Sequence, residues 1–320
     1  MTSHQAAGHR DTDGTREPWH PSRPHAALAA DVRWFVASLQ AGAFGRLALD
    51  QVAYREIAAA VDRTGRFRAN FTDRGLRSAA FVAVMLAGDP TDRRNEVGLL
   101  KKMHEQVRGQ GQGEFADTRY SALSPELWKW VAVSGLNIFY QAYIHVMGRE
   151  LDAEQRAVVY ETLRYITEPL ELPSNQARLP ATLEEMEEYY DAVAATKLSD
   201  NEFLRWAADA FSAPPVPALL VPRSSHRRLV APLWRILTLL NDRPIAICSA
   251  GAAHPRMRTL MGVEWTKRRQ VEFDCYTTLL RLTWRHLPRR LTLEPLAYHR
   301  YRYEKIRDFY RRLHLESFAP

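Results

Sequence analysis

Helical periodicity runs through nearly all of this chain, and it limits the possible folds more than any other feature. Apolar residues recur at three- and four-residue spacings, the pattern of one buried face on a helix. Strand-like alternation and the Asn-Gly or Asp-Gly pairs of tight hairpins are largely missing. Only 15 of 320 residues are glycine, which also suits helices. The expected fold is all-α, a single multi-helix globular domain.

Start and stop signals divide the pattern. Helices are predicted over 27–41, 47–61, 72–86 and 91–108. Ser124-Pro125-Glu126 opens another that runs to Met147. Asp152 starts one to Tyr165, and Thr182 with Glu185 is a capping box for 184–196. Three more are predicted over 230–240, 267–286 and 295–313, after a proline-rich crossing at Ala213-Pro-Pro-Val-Pro217. Residues 1–25 are poor in apolar side chains and read as a disordered tail. The expected domain therefore covers 26–320, with the later helices closing the same core.

Composition excludes several classes. With 46% apolar and 25% charged residues, the chain has an ordinary globular balance and can bury a large core. Cys248 and Cys275 are too few for a disulfide framework and too far apart for a metal knuckle. No apolar run reaches the roughly 18 residues of a membrane span, and the first ten residues carry no apolar stretch of a signal peptide. A cytoplasmic protein with no integral membrane segment is expected. From Arg223 onward, 20 Lys and Arg stand against 8 Asp and Glu, an excess of +12; the rest then carries −5 of the total +7. These cations alternate with apolar residues, as in Arg281-Leu-Thr-Trp-Arg285, and read as solvated helix faces rather than a nucleic-acid stripe. The sequence carries no sign of oligomeric state.

The common catalytic signatures are absent: no phosphate-binding glycine loop, no His-Glu-x-x-His and no nucleophile elbow. The one Glu-x-x-His, Glu17 to His20, lies in the tail and contains a proline, so it does not suit a di-iron bundle. One histidine is well placed. Leu100, Met103, His104 and Val107 fall at i, i+3, i+4 and i+7, on one apolar stripe. Arg108 follows four residues later and can share that side. Taken alone, His104 is an ordinary core histidine bonded to a carbonyl. The preceding helix adds Arg74, Arg77 and Ser78 at i, i+3 and i+4, followed by a long apolar run. A short turn at Gly88-Asp89-Pro90 folds the two helices together and brings Arg74 level with His104. Neighbouring helices pack about 8 to 10 Å apart, so the imidazole and the guanidinium can face one cavity. A buried Arg needs an acceptor, and a haem is one group that satisfies both walls.

These segments, in this order, resemble the oxygenase MpaB family, also known as the rubber oxygenase (latex-clearing protein) catalytic domain. The resemblance is carried by Arg74-Gly-Leu-Arg77-Ser78, by His104-Glu-Gln-Val-Arg-Gly109 and by 119–131. It continues through Gly148 to Glu154, Tyr160-Glu161, 179–185 and 256–265. It implies an all-helical fold with b-type haem in a pocket between core helices. The family's His-x-x-Val-Arg-Gly pattern makes His104 the axial iron ligand. Its Arg-x-x-x-Thr pattern puts Arg74 and Ser78 on the oxygen side. Rubber-cleaving members use a lysine near that position that can cap the iron, and here it is Arg77. Ser78 replaces Thr, Ala132 stands where many members have His, and Tyr54-Arg55 replaces a His-Pro. The twin-arginine leader of secreted members is lacking.

Together these readings predict a haem b (iron) oxygenase acting on dioxygen and a small apolar organic substrate. His104 is the expected metal ligand, and Arg74, Arg77 and Ser78 are the expected catalytic groups. Arg108 and Tyr120 are expected near the haem propionates, with Trp130 as a pocket wall and His145 as a haem-edge contact or core residue. Tyr160 and Glu161 are expected in a buried structural network, and Trp128 between helices. The alternatives are a non-catalytic helical protein holding haem or an apolar ligand, and a scaffold or nucleic-acid binder using the basic third.

Overall fold

The computed structural model describes residues 21–63 and 65–316. The tail motif Glu17 to His20 lies outside them. Residues 23–25 form one 3-10 turn that leads into the first helix.

Fifteen α-helices fill the described residues: α1 (Ala26–Val36), α2 (Leu49–Ala53), α3 (Arg55–Asp62), α4 (Arg66–Ala69), α5 (Phe71–Ala87), α6 (Pro90–His104), α7 (Pro125–Met147), α8 (Ala153–Thr167), α9 (Leu183–Thr196), α10 (Glu202–Ser212), α11 (Ser224–Ala252), α12 (Pro255–Leu260), α13 (Lys267–His286), α14 (Arg289–Thr292) and α15 (Pro295–Glu316). A small antiparallel pair, β1 (Arg108–Gln110) and β2 (Arg119–Ser121), lies between α6 and α7. The all-α expectation holds.

Four of the predicted helix starts are fixed by a side-chain cap. Asp89 accepts from the amides of Thr91 and Asp92, and Asp92 returns a bond to the amide of Asp89, closing a capping box ahead of Pro90. Asp152 and Gln155 do the same for α8. Thr182 caps α9 and Thr266 caps α13.

The predicted helix over 47–61 is broken at Tyr54, which is extended and bridges Leu198. The carbonyls of Val52 and Ala53 are taken by Asn201 Nδ2 (2.9 Å) and the amide of Ser199 (3.0 Å), so the helical ladder is interrupted there. The first helix also stops early, at Val36, because Ser38 bridges Leu293.

The core wraps around α7, whose Trp130, Val133, Leu136, Tyr140 and Tyr143 are buried. Asp31 on α1 accepts from Tyr143 Oη and from Trp284 Nε1, both at 3.0 Å, which joins α1, α7 and α13. Phe35 stacks edge-on against the same two rings. The helices after the proline crossing share this core through Ile247, Cys248, Phe273, Trp284 and Ala297. The first half of α11 is the exception, because its leucines lie exposed.

Candidate functional site

α6 follows α5 across the Gly88-Asp89-Pro90 turn, and its last residue carries the candidate histidine. His104 closes α6 and is half-buried. Its Nδ1 lies 2.8 Å from the carbonyl of Leu100, so Nδ1 carries the proton and donates it. In the neutral tautomer that this bond selects, the lone pair is on Nε2. The Trp128 ring meets the imidazole edge-on with centroids 5.8 Å apart, and Trp128 Nε1 donates to the carbonyl of Leu170 (2.5 Å). Lys101, one turn back, donates to the carbonyl of Glu171 (2.9 Å), and loss of hydration lowers its pKa. The imidazole is thus held by its own helix, by the start of α7 and by the 168–171 turn. The helix also bares two apolar side chains, Leu99 (52% exposed) and Met103 (58%).

The expectation that the polar side of α5 sinks into the protein is not met. Arg74, Arg77 and Ser78 are exposed. The only buried residues of α5 are Met85, Leu86 and Ala87 at its far end, so its first turns are covered on one side alone. Phe67, Phe71, Trp206 and Phe211 form that cover. Arg74 lies over the Phe67 ring, 4.8 Å from its centroid. Lost hydration on that side, and then the like charges of Arg63 and Arg77, lower its pKa. A cluster of cations that repel one another offers a place for an anionic group. A Cβ added at Gly75 or at Gly98 would meet no atom within 4 Å, so each helix is open at its glycine rather than enclosed.

Arg108 does not continue the helix of His104. The chain leaves α6 after His104, and Arg108 pairs with Ser121 in the small sheet, so the i+4 relation is lost and Arg108 is exposed. The Gly-Gln-Gly stretch is an ordered hairpin. A Cβ on Gly111 would lie 2.2 Å from the carbonyl oxygen of Phe115, and one on Gly109 would lie 3.1 Å from the hydroxyl of Tyr120. Tyr120 is buried in this hairpin, directly opposite Gly109.

Trp130 is fully buried, but between Tyr54 and Tyr190, away from His104. The tryptophan that touches the histidine is Trp128. The two differ by two residues and so leave α7 on different sides. His145 also lies elsewhere. It stands 17 residues beyond Trp128 on α7, about 25 Å along the axis at 1.5 Å per residue. It packs on Phe273, and burial pushes its pKa down to about 4. It is a neutral core histidine and not part of the same site. Tyr160 does join a buried network, donating to the carbonyl of Pro180 (2.7 Å), a carbonyl that Arg164 also reaches (2.8 Å). Glu161 faces solvent instead.

The sequence reading missed one buried acid. Asp50 is 2% exposed, accepts from Tyr190 Oη (2.7 Å), and its Oδ1 has no partner. Burial raises its pKa to about 7. Its signal was an aspartate inside the apolar run Leu47-Ala-Leu-Asp-Gln-Val-Ala53. Asp50, Arg46, Tyr190, Ser249 and Met257 line a small cavity, and a shallow groove runs along α15. None of the residues expected for the site lines either.

A family model described as "ER-bound oxygenase mpaB/B'/Rubber oxygenase, catalytic domain" matches residues 31–282. Among curated proteins, the uncharacterized protein Mb2261 of Mycobacterium bovis and the uncharacterized protein Rv2237 of Mycobacterium tuberculosis are similar. Each is 24% identical over 249 residues, which covers 77% of this chain and 87% of the relative. No solved structure matches.

Proposed function

Because this chain belongs to the mpaB/rubber oxygenase catalytic-domain family, we propose that it is a haem-dependent oxygenase acting on an apolar organic substrate, with His104 as the residue that would hold the iron. The observation that carries the reading is the Nδ1 bond of His104 to Leu100. That bond fixes the tautomer and the ring plane and leaves the Nε2 lone pair for a metal, as ligating histidines do. Among the described residues no group of three or more His, Cys, Asp or Glu is arranged to hold a metal ion. The site would therefore suit a cofactor that needs only one protein imidazole to hold its metal. The exposed Leu99 and Met103 would suit an apolar macrocycle, and the cations Arg74 and Arg77 would suit its carboxylates.

When bound, haem supplies the capacity to bind and reduce dioxygen. The chain's own groups do the rest. Arg74 and Arg77 stabilise negative charge at the open face through charge-assisted donors. Ser78 offers a hydroxyl that donates and accepts. Tyr120 and Arg108, on the hairpin after His104, supply polar groups at the edge of the site. A small apolar substrate would rest against the exposed side chains of this face. The chain has no role for nucleic acid in this reading, and it works in the cytoplasm.

The test is spectroscopic. Purified protein, produced with a haem precursor, is expected to show a Soret band. His104→Ala should abolish it, whereas Arg74→Gln should keep the band and lower oxygen uptake in the presence of a reductant and an apolar substrate. A colourless protein that takes up no added haem, or a band unchanged in His104→Ala, overturns the assignment. A Soret band without oxygen uptake would leave a haem-binding protein rather than an oxygenase.

A further inference from the structure

The first half of α11 is built inside out. Leu229, Leu233, Ile236 and Leu240 fall at i, i+4, i+7 and i+11, one continuous stripe. They are 78%, 61%, 55% and 69% exposed. The opposite side of the helix carries Arg227, Trp234 and Thr238, and it is this side that is half-buried. Trp234 Nε1 donates to the carbonyl of Pro214 (2.8 Å), and Arg227 Nη1 to that of Pro222 (3.0 Å), which fixes the orientation. A helix that turns its leucines to water and its polar groups inward has an unmet partner.

α13 repeats the arrangement beside it. Val271, Leu279 and Leu282 are exposed along one face, with Lys267, Arg268 and Arg285 on the same side. The two helices meet where Arg243 Nη2 reaches Glu272 Oε2 (2.6 Å), a carboxylate that Arg268, one turn earlier on α13, also reaches through Nε (3.2 Å). Each helix thus presents an apolar face flanked by cations, Arg228 and Arg235 on α11 and Lys267, Arg268 and Arg285 on α13, in the part of the chain that carries the +12 excess.

From this pattern we infer that the outward faces of α11 and α13 dock on an anionic lipid bilayer. Leucines and isoleucine enter the headgroup–acyl boundary, while the flanking arginines extend their stems along the apolar faces and keep their charges among lipid phosphates. Charge selects this occupant over a second copy of the chain. A two-fold pairing of these faces would set Arg228, Arg235, Arg268 and Arg285 against one another with few acids between, which opposes association. The contact is peripheral, since among the described residues no helix is long and apolar enough to cross a membrane. It is independent of the haem assignment, because vesicle binding is read whether or not the protein carries a cofactor, and either can fail alone.

The test is co-sedimentation of the full chain with vesicles of phosphatidylcholine alone and of phosphatidylcholine with phosphatidylserine. Binding is expected to the anionic vesicles, to weaken in high salt, and to be slight on the neutral ones. The Arg228→Glu/Arg235→Glu variant should weaken it about tenfold or more, and Leu233→Ser/Ile236→Ser should weaken it at low salt too. All four positions are exposed, so circular dichroism should report unchanged folding. No binding to the anionic vesicles at low salt, or binding that neither variant weakens, overturns the proposal. So does a dimer, seen by light scattering, that Leu233→Ser/Ile236→Ser splits while vesicles bind nothing.

Discussion

Asp50, buried, and His145, half-buried, are two titratable groups that respond to pH in opposite directions. Asp50 has its folded pKa raised to about 7 from 3.8 by burial. Its unfolded form therefore ionises first, and stability is lost as pH climbs from about 4 to about 7. His145 has its folded pKa lowered to about 4 from 6.5. Its unfolded form gains a proton first, so stability is lost as pH falls from about 6.5 to about 4. Asp50→Asn is expected to flatten the loss toward neutral pH and to be more stable than the parent at pH 8. His145→Gln is expected to flatten the loss toward acid. Urea midpoints across the two windows check both, and a parent and Asp50→Asn pair with parallel profiles would refute the buried-acid account. Asp50 was legible only as an oddity, one acid in an apolar run. Its partner Tyr190 lies 140 residues away and is joined to it only in the fold.

At the scale of elements, α11 and α13 are held in contact by a missing side chain. A Cβ at Gly251 would lie 2.3 Å from the Phe273 ring, so the ring packs directly on the helix backbone. Gly251→Ala should destabilise by about 1–3 kcal/mol through overpacking, read from thermal or urea unfolding. Gly135→Ala, in α7 with nothing within 4 Å of its added Cβ, is the control. It is expected to be neutral or slightly stabilising, since Ala favours helix by about 1 kcal/mol over Gly. Elements were legible where the chain caps itself. α7, α9 and α13 begin and end close to their predicted limits, and α6 begins at its own, because Asp89, Pro125, Thr182 and Thr266 act locally. The break at Tyr54, the short strands after His104 and the short helix α10 were not legible. In each, distant groups take the backbone bonds or supply the packing, as when Asn201 takes the carbonyl of Val52.

For the whole molecule, the stretch matched by the family model, 31–282, is smaller than the folded body. α15 returns to α1 through the Glu304 carboxylate, which accepts both Arg33 Nη1 and Nη2 (2.9 and 2.8 Å), and through the edge-on pair of Trp34 and Tyr301. Trp284 and Ala297 are buried in the common core. A chain ended at residue 282 removes these contacts and bares Val32 and Phe35. It is expected to be insoluble or to unfold without cooperativity, measured by expression yield and calorimetry. A truncated chain that melts like the parent would show that α14 and α15 are dispensable.

Sequence alone determined the helical class, most helix limits and the two segments that carry His104 and Arg74, because periodicity, caps and short motifs act over a few residues. Tertiary structure decided which side chains meet. It set Trp128 rather than Trp130 against His104, moved His145 to the other end of α7, ended α6 before Arg108, and left Arg74, Arg77 and Ser78 open to solvent. Those outcomes depend on how helices far apart in the chain cover one another, and no local pattern encodes the exposure of a face until its neighbour is in place.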